Sequence, residues 1–367
     1  MNDIVHGELS WRLSNDSVTL WITHLGGHVG PVEFQLEGRT VSPYALAPWA
    51  SDEAPDSLPN LLSVLRGDFF CFPFGPQESG PPHGVSANEP WRLVDGNGER
   101  ISLSMGDPDS GGKLDKIVFT RAGETAVYSE HRISGVSGRF SYGNHPILNC
   151  SGLDEGHARV SVSPFRWASV YPGMFSDPAN QEFGALEPGG RFSDLRAVPL
   201  ADGGTTDLTR YPARKGCEDL VMMVSEPTTI EQPFAWSAVV LDGYVWFSLK
   251  NPADFPATLF WISNGGRHAA PWNGSHLGRI GIEEVCSHFS DSVDVSRGDR
   301  LAEDSIPTSR EFVADQTVSL RILQAVAAVD EDFGRVISIR PNGPGSVLIT
   351  GETGKPVEST IDWNFVL

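Results

Sequence analysis

Residues 17–23 read Ser-Val-Thr-Leu-Trp-Ile-Thr, and two glycines, Gly26 and Gly27, follow before residues 29–36 resume a similar pattern. In the first segment polar and apolar residues alternate, and β-branched and aromatic residues are frequent. Both features are typical of a half-buried β-strand. The paired glycines separate this predicted strand from the next one.

Similar segments recur along the whole chain, each bounded by Gly, Pro, Asn or Asp. The other predicted strands are residues 101–105, 116–120, 126–133, 158–162, 236–249, 258–262 and 317–326. Long helical periodicity is absent, and the best helix candidate is the short, proline-interrupted segment 52–65. The pattern predicts an all-β protein with two large facing, mostly antiparallel sheets, whose concave face holds the functional site.

The chain has 367 residues, of which 39 are Gly and 27 are Pro. This composition favours many short elements joined by turns. No linker with a shift in composition and no fixed-period repeat divides the sequence. We therefore expect a single domain over residues 1–367, with the residues after about 309 forming a strand-rich closing segment.

The net charge of −20 describes a strongly acidic protein. Such a surface repels phosphate backbones and anionic lipids, so we expect no nucleic-acid and no membrane partner. Residues 1–10 lack the basic and apolar regions of a signal peptide, and no apolar run is long enough to span a bilayer. These features predict a cytoplasmic protein.

The four cysteines are spread along the chain without a CxxC motif or histidines at metal-ligand spacing. A zinc site or a disulfide framework is therefore not expected. Cysteines with apolar neighbours, such as Cys71, are expected in the core.

The first polar candidates lie around residues 65–91. Arg66 precedes a strongly apolar run, and its fork of donors suits sugar hydroxyls or a phosphate, although a structural pair with Asp68 explains it equally well. His83 follows two prolines and precedes a glycine, and Trp91 could offer an apolar face to a sugar ring. The alternative is an ordinary loop histidine near a core tryptophan.

Two further candidates lie later in the chain. His145 stands between Asn144 and Asn149, whose amides could fix its orientation, and its ordinary pKa of about 6.5 suits acid catalysis near neutrality. Glu283 is placed on the inward face of a strand, which puts Glu284 on the opposite face. The alternatives are a strand-end histidine satisfied by its neighbours and a solvated edge carboxylate.

A glycine-rich segment supplies the last candidates. Arg267 and His268 follow two glycines, and Trp272 lies shortly after them. The arginine and histidine could hold a phosphate, or they could simply shape the loop.

Together and in order, these segments resemble the aldose 1-epimerase (galactose mutarotase-like) superfamily. Residues 66–75 are similar to the Arg-Gly-x-x-Pro-x-x-Phe-Pro-x-Phe-Gly motif of the glucose-6-phosphate 1-epimerase branch, with Asp68 and two phenylalanines as departures. The other matching segments are residues 82–84 with Trp91, 144–149, 218–220 and 281–283.

The resemblance implies a β-supersandwich and an isomerase that interconverts sugar anomers. It implies Glu283 as the base, His145 as the acid and His83 as a group that polarises the ring oxygen. The expected substrate-binding residues are Arg66, Asp219, Trp91, Asn144, Arg267 and Trp272. The implied chemistry needs no metal, nucleotide or redox cofactor.

Two other functions remain compatible with the sequence. One is a non-catalytic carbohydrate-binding or sensing protein on the same fold. The other is a lyase or a hydrolase, for which Glu283 and Asp219 could supply the two carboxylates that glycoside hydrolysis requires. In each case we expect a small-molecule sugar or sugar phosphate as the partner, and a monomer or homodimer.

Overall fold

The computed structural model describes residues 2–55, 57–106 and 111–367. Strands hold 46% of the residues and helices 8%, which confirms the predicted all-β class. In chain order, the strands are β1 (Asn2–Val5), β2 (Glu8–Ser14), β3 (Val18–Thr23), β4 (Val29–Leu36), β5 (Arg39–Val41), β6 (Phe70–Cys71), β7 (Arg92–Gly96), β8 (Arg100–Gly106), β9 (Lys113–Phe119), β10 (Ala126–Ser134), β11 (Gly138–Phe140), β12 (Tyr142–Asn144), β13 (Ile147–Asn149), β14 (Ala158–Val162), β15 (Phe165–Val170), β16 (Val198–Pro199), β17 (Thr205–Thr206), β18 (Arg210–Tyr211), β19 (Cys217–Ser225), β20 (Ala235–Val240), β21 (Tyr244–Lys250), β22 (Ala257–Asn264), β23 (Arg279–Cys286), β24 (Arg310–Phe312), β25 (Val318–Ala328), β26 (Val336–Pro341), β27 (Ser346–Gly351) and β28 (Pro356–Thr360).

Helices are few and short in the described residues. The two α-helices are α1 (Asn60–Ser63) and α2 (Val293–Arg297). The 3-10 helices are Ser51–Glu53, Val85–Ala87, Pro178–Asn180, Leu195–Ala197, Ala302–Asp304 and Trp363–Val366. No helix in this part of the chain has the length and apolar character needed to cross a membrane.

The helix candidate at residues 52–65 is corrected by the structure. Among its described residues, 52–55 and 57–65, only the end of one 3-10 helix and the single turn of α1 are helical. Pro59 stands immediately before α1, as its N-terminal cap. A proline lacks the amide proton that a helix interior needs and keeps the preceding residue out of helical geometry, so the two helical pieces do not join.

Two large antiparallel sheets form the body of the fold. One has nine strands in the order β18-β14-β20-β21-β25-β10-β9-β8-β7. The other has seven, in the order β15-β19-β22-β23-β12-β6, with β13 also paired to β23. Apolar side chains from both sheets share one core, to which Trp246 and Ile322 contribute from the first sheet and Phe260 and Ile282 from the second. This arrangement confirms the prediction of two facing sheets.

Residues 236–249, predicted as one strand, form a hairpin instead. Strands β20 and β21 pair antiparallel, with Val240 opposite Val245. Gly243 has a φ of +69° in the turn that joins them. An Asp-Gly pair is a common hairpin turn because the glycine adopts positive φ without steric cost.

Smaller sheets complete the architecture. Strands β1–β5 form a five-stranded sheet, and β26–β28 form a three-stranded sheet near the C-terminus. Ile339 and Ile349 of the C-terminal sheet pack with Trp236 and Phe247 of the nine-stranded sheet in a separate apolar cluster. The expectation of a single domain over the whole chain stays a prediction.

The two faces of the seven-stranded sheet have different partners. Val221 and Phe260 point into the core shared with the nine-stranded sheet. Their neighbours Leu220 and Trp261 point the other way, into a cluster formed with loops and with α1. The four cysteines are all buried with free thiols. The face that carries Leu220 and Trp261 is the one on which the candidate site lies.

Candidate functional site

A cavity of about 120 Å³ lies on the face of the seven-stranded sheet that points away from the nine-stranded sheet. Strands β19, β22 and β23 provide its floor, and α1 and several loops provide its walls. Its lining residues are Leu61, Leu62, Leu65, Phe69, His83, His145, Phe175, Leu220, Trp261, Arg267, Trp272, Glu283 and Ser290. Five of the residues singled out from the sequence therefore meet here, namely His83, His145, Arg267, Trp272 and Glu283.

His145 and Glu283 contact each other directly at this cavity. Nε2 of His145 lies 3.2 Å from Oε1 of Glu283, and both side chains are buried. His145 follows β12 and Glu283 lies within β23, and these two strands pair antiparallel. The pairing of neighbouring strands therefore brings together residues that are far apart in the sequence.

Stacking and a backbone hydrogen bond orient His145. Its ring stacks on Phe69 with the centroids 4.6 Å apart, and its backbone N–H donates to Asp68 Oδ1 at 2.9 Å. The amides of Asn144 and Asn149 do not hold the ring, because Asn144 donates to Asp68 and Asn149 accepts from Ser151. The predicted orientation by the two asparagines is thus corrected, and Nδ1 of His145 has no hydrogen-bond partner among the described residues.

Asp68 belongs to a buried polar network behind His145. Its Oδ2 accepts hydrogen bonds from Asn144 at 3.1 Å and from Gln324 at 2.9 Å. Burial raises the pKa of Asp68 to about 6, while the charge of Lys116 opposes this shift. Burial likewise lowers the pKa of Lys116 to about 8, against the charge of Asp68. The network fixes the backbone at His145 from the side opposite to the cavity.

Glu283 and Glu284 point to opposite faces of β23, as predicted from strand alternation. Glu284 is fully buried between the large sheets, where Lys250 Nζ lies 2.6 Å from its Oε2 and Ser237 donates to its Oε1. The idea of a solvated edge carboxylate is therefore wrong for both residues, since Glu283 is also buried. Gly281 leaves room for Glu283, because a Cβ there would lie 2.8 Å from Oε1 of that residue.

Burial makes both members of the His145–Glu283 pair favour their neutral forms. It raises the pKa of Glu283 well above its ordinary value. It lowers the pKa of His145 well below its ordinary value, and the nearby His83 adds to that shift. Burial therefore favours a protonated carboxyl next to a neutral imidazole, which together hold one acidic proton.

His83 completes this group of titratable side chains. Its ring lies edge-on to that of His145, with the centroids 5.4 Å apart. The backbone N–H of Gly75 donates to Nδ1 of His83 at 3.3 Å, which assigns the proton of the neutral ring to Nε2. Burial lowers the pKa of His83 to about 4. The ring is therefore a neutral hydrogen-bond donor at physiological pH.

Arg267 lies between two tryptophans and two carboxylates. Its guanidinium is 5.3 Å from the ring centre of Trp261 and 5.2 Å from that of Trp272, distances that suit cation–π contacts. Its Nε lies 3.4 Å from an oxygen of Glu182 and 3.7 Å from an oxygen of Glu218. The positive charge is thus already compensated by the protein.

Glu218 was missed by the sequence reasoning, which chose its neighbour Asp219. Glu218 accepts hydrogen bonds from Trp261 Nε1 at 3.0 Å and from Ser263 Oγ at 2.7 Å. Burial raises its pKa to about 7, with Arg267 opposing the shift. Asp219 points to the other face of β19, where it accepts from the backbone N–H groups of residues 185 and 186.

Arg66 does not line the cavity. Its guanidinium donates to the carbonyl oxygens of Val5 and Val64 and to the hydroxyl of Ser51. It therefore ties the N-terminal hairpin to the loop that precedes α1. It also makes no pair with Asp68, whose oxygens are used by the network behind His145.

Trp91 and Asn144 also lie outside the cavity lining. Trp91 is buried in the main core and donates from Nε1 to the Ser86 carbonyl oxygen at 2.9 Å. Asn144 is turned towards Asp68. Like Asp219 and Arg66, these residues contact other parts of the protein and do not line the cavity. For Asn144 and Asp219, which lie in β12 and β19, the alternation of side chains along a strand decides which face they point to.

The described residues contain no group of three or more His, Cys, Asp and Glu side chains arranged to hold a metal ion. The cavity itself offers one carboxylate and two imidazoles, of which one imidazole and the carboxylate contact each other. The chemistry that this arrangement supports is proton transfer between a ligand and the His145–Glu283 pair.

The amino-acid sequence matches no protein-family model and no curated protein. Solved structures nevertheless share the fold at low identity. The galactose mutarotase related enzyme from Lactobacillus acidophilus is 10% identical, over 88% of this chain and 98% of its own, with a TM-score of 0.55. A galactose mutarotase-like protein from Lactobacillus casei is 13% identical, over 87% of this chain and 100% of its own, also with a TM-score of 0.55.

A third solved structure is a candidate aldose 1-epimerase from Escherichia coli. It is 11% identical, over 87% of this chain and 99% of its own, with a TM-score of 0.59. The resemblance noted in the sequence is thus matched by a likeness of the fold over most of the chain. The protein has the β-sandwich fold of the galactose mutarotase-like proteins.

Proposed function

We propose that this protein interconverts the anomers of a neutral sugar by ring opening and closure at the His145–Glu283 pair. The observation that carries the proposal is the 3.2 Å contact between an imidazole and a carboxyl group, both buried, at the floor of a cavity. A protein that only binds sugar has no need of a buried pair able to exchange a proton. The fold shared with galactose mutarotase-like proteins supports the same activity.

The proposed reaction balances with the single proton of the pair. For ring opening, the carboxylate of Glu283 accepts the proton of the anomeric hydroxyl, and the imidazolium of His145 donates a proton to the ring oxygen. The bond between C1 and the ring oxygen breaks, and an aldehyde forms. The pair is left as a carboxylic acid and a neutral imidazole, the form that burial favours.

Ring closure uses the same groups in reverse. After rotation about the C1–C2 bond, His145 accepts the proton of the ring hydroxyl and Glu283 donates its proton to the carbonyl oxygen. His83 supports both steps, because the proton on its Nε2 can be donated to the ring oxygen. The contact between His145 Nε2 and Glu283 Oε1 occupies the two atoms that the reaction uses, so it has to open when the substrate binds.

A neutral sugar fits this site better than a sugar phosphate. Arg66 is committed to the N-terminal hairpin, and Arg267 is compensated by Glu182 and Glu218. His268, the other predicted phosphate ligand, is exposed and packs against Phe183. The one arginine that lines the cavity is therefore already shared with two acidic side chains, which weakens its attraction for a phosphate dianion.

The two-carboxylate hydrolase receives no support from the position of Asp219. Glycoside hydrolysis requires two carboxyl groups that flank the scissile bond. Glu283 lines the cavity, whereas the carboxylate of Asp219 is held by backbone amides on the other face of β19.

The decisive experiment measures anomer exchange in wild type and Glu283→Gln. Polarimetry or exchange NMR is applied to a panel of aldoses, both free and 6-phosphorylated. We expect catalysis of at least one neutral aldose and a loss of about 10²–10⁴-fold in the variant, since positioned acid–base catalysis contributes rate factors of that order.

Glu311→Gln is the matched control, because Glu311 is an exposed carboxylate on β24. It should exchange anomers at the wild-type rate. Equal rates for wild type and Glu283→Gln on every sugar would remove the proposed activity. Sugar binding without any exchange would instead favour the non-catalytic carbohydrate-binding alternative.

A further inference from the structure

Helix α1 and Leu65, which follows it, give the cavity an apolar wall. Leu61, Leu62 and Leu65 all line the cavity. The backbone N–H of Leu61 donates to the side-chain oxygen of Asn88 at 2.9 Å, and Trp49 Nε1 donates to the carbonyl oxygen of Leu62 at 3.0 Å. These hydrogen bonds tie α1 to two other segments. The leucine wall is therefore a built part of the site.

The polar side chains of the cavity are few by comparison. In the proposed reaction, His145 and Glu283 act on the ring oxygen and the anomeric hydroxyl, and His83 supplies one N–H beside them. Arg267, Ser290 and the indole N–H of Trp272 are then the remaining polar groups of the lining side chains, since the indole N–H of Trp261 is donated to Glu218. A hexopyranose brings four more hydroxyl groups, and a hydroxyl buried without a partner is unfavourable.

The small size of the cavity also favours a ligand with few hydroxyl groups. Its volume is about 120 Å³. Ordinary small-molecule sites begin at roughly 300 Å³. A small ligand with an apolar edge loses fewer hydrogen bonds to water on entering such a site than a fully hydroxylated ligand does.

We infer that the site selects neutral deoxy sugars, in which a methyl group replaces the exocyclic hydroxymethyl group, over the corresponding hexoses. In this inference the methyl group packs on the leucine wall, whose side chains offer no partner to a hydroxyl. The assignment of the reacting atoms rests on the proposed function, whereas the preference itself concerns binding and can be measured without turnover.

The test uses matched pairs of sugars that differ only at the exocyclic carbon. Glucose is compared with 6-deoxyglucose, galactose with fucose and mannose with rhamnose, each pair in the same enantiomeric series. Saturation-transfer NMR on Glu283→Gln measures binding, and exchange NMR on wild type measures kcat/KM. We expect the favoured deoxy sugar to bind on the order of 10- to 100-fold more tightly than its parent, the range by which a hydrophobic pocket discriminates against an added hydroxyl.

A substitution in the wall checks where the preference arises. Leu62→Gln offers a polar partner at the wall and should shift the preference back towards the parent hexose. Leu348→Gln is the matched control, since Leu348 is a partly buried leucine of β27 outside the cavity. It should keep the wild-type preference, and circular dichroism verifies that both variants are folded.

The outcomes separate this inference from the proposed function. Tighter binding of a deoxy sugar without anomer exchange would retain the substrate class and overturn the enzymatic activity. Exchange with equal or better use of the parent hexoses would retain the activity and overturn the substrate class. Absence of both binding and exchange for every pair would overturn both.

Discussion

His145 and Glu283 illustrate how burial shifts the pKa values of the pair that we propose to be catalytic. An exposed histidine titrates near pH 6.5, and an exposed glutamate near 4.3. In this cavity burial lowers the first pKa and raises the second. Burial thus favours the neutral forms of both side chains, and the charged form needed for ring opening arises when the sugar supplies new hydrogen bonds.

The direction of these shifts predicts the pH titration of His145. Because a lowered pKa means that the ring takes up its proton only at more acidic pH, His145 should stay neutral as the pH falls through 6.5. NMR of protein labelled with ¹³C at the histidine rings can follow this, with His145→Gln used to assign the signal. Free histidine in the same sample serves as the reference. A His145 signal that titrates together with that reference would contradict the burial argument.

Strand alternation determines which member of each carboxylate pair reaches the cavity side. On β23, Glu283 faces the cavity and Glu284 faces Lys250 between the sheets. On β19, Glu218 lies beside Trp261 whereas Asp219 points away. On β23, once Glu283 is placed on the inward face, the sequence alone puts Glu284 on the opposite face. The assignment on β19 was missed because the sequence does not identify the inward face of that strand.

The hairpin formed by β20 and β21 depends on the turn at Gly243. Its positive φ of +69° is strained for a residue with a Cβ. We therefore expect Gly243→Ala to reduce the free energy of unfolding by about 1 kcal/mol, and Gly243→Asn to reduce it less, because asparagine tolerates the left-handed region. Urea denaturation measures both.

Gly345→Ala is the control for the hairpin prediction. A Cβ at Gly345 would meet no atom within 4 Å, and its φ lies outside the left-handed range. This variant should therefore be as stable as wild type or slightly more stable. Equal stability of the alanine variants at positions 243 and 345 would show that the turn carries no conformational strain.

The C-terminal sheet is tied to the rest of the molecule through an apolar cluster. Ile339, Val347 and Ile349 are fully buried against the outer face of the nine-stranded sheet. The terminal 3-10 helix, Trp363–Val366, adds Val366 to this cluster. Because the outer face is covered in this way, we expect the sandwich and the C-terminal sheet to unfold together.

Ile349→Ala tests this coupling. Removal of a fully buried isoleucine side chain typically costs about 2–5 kcal/mol. If the molecule is one cooperative unit, the loss appears in a single unfolding transition, seen alike by circular dichroism and by tryptophan fluorescence. Thr350→Ala, at a partly buried position on the other face of β27, should change stability by no more than about 0.5 kcal/mol. Two separate transitions would instead identify the C-terminal sheet as an independent domain.

The amino-acid sequence was sufficient to predict the all-β class, most of the strands and five residues of the cavity. Strands were predictable because the alternation of apolar and polar positions is a local pattern, as in β4 and β14, whose predicted limits agree with the structure. Residues 236–249 were predicted as one strand although they form a hairpin. β-forming residues continue on both sides of the Asp-Gly pair, and they masked its turn signal.

Tertiary structure alone decided which polar residues reach the cavity. Arg66, Trp91, Asn144 and Asp219 have side chains as suited to a sugar as those of Arg267 and Trp272, but their contacts lie elsewhere. The leucines of α1 became part of the site only through packing against the seven-stranded sheet. The physical reason is that hydrophobic periodicity is encoded locally, whereas the environment of a buried polar group depends on segments distant in the sequence.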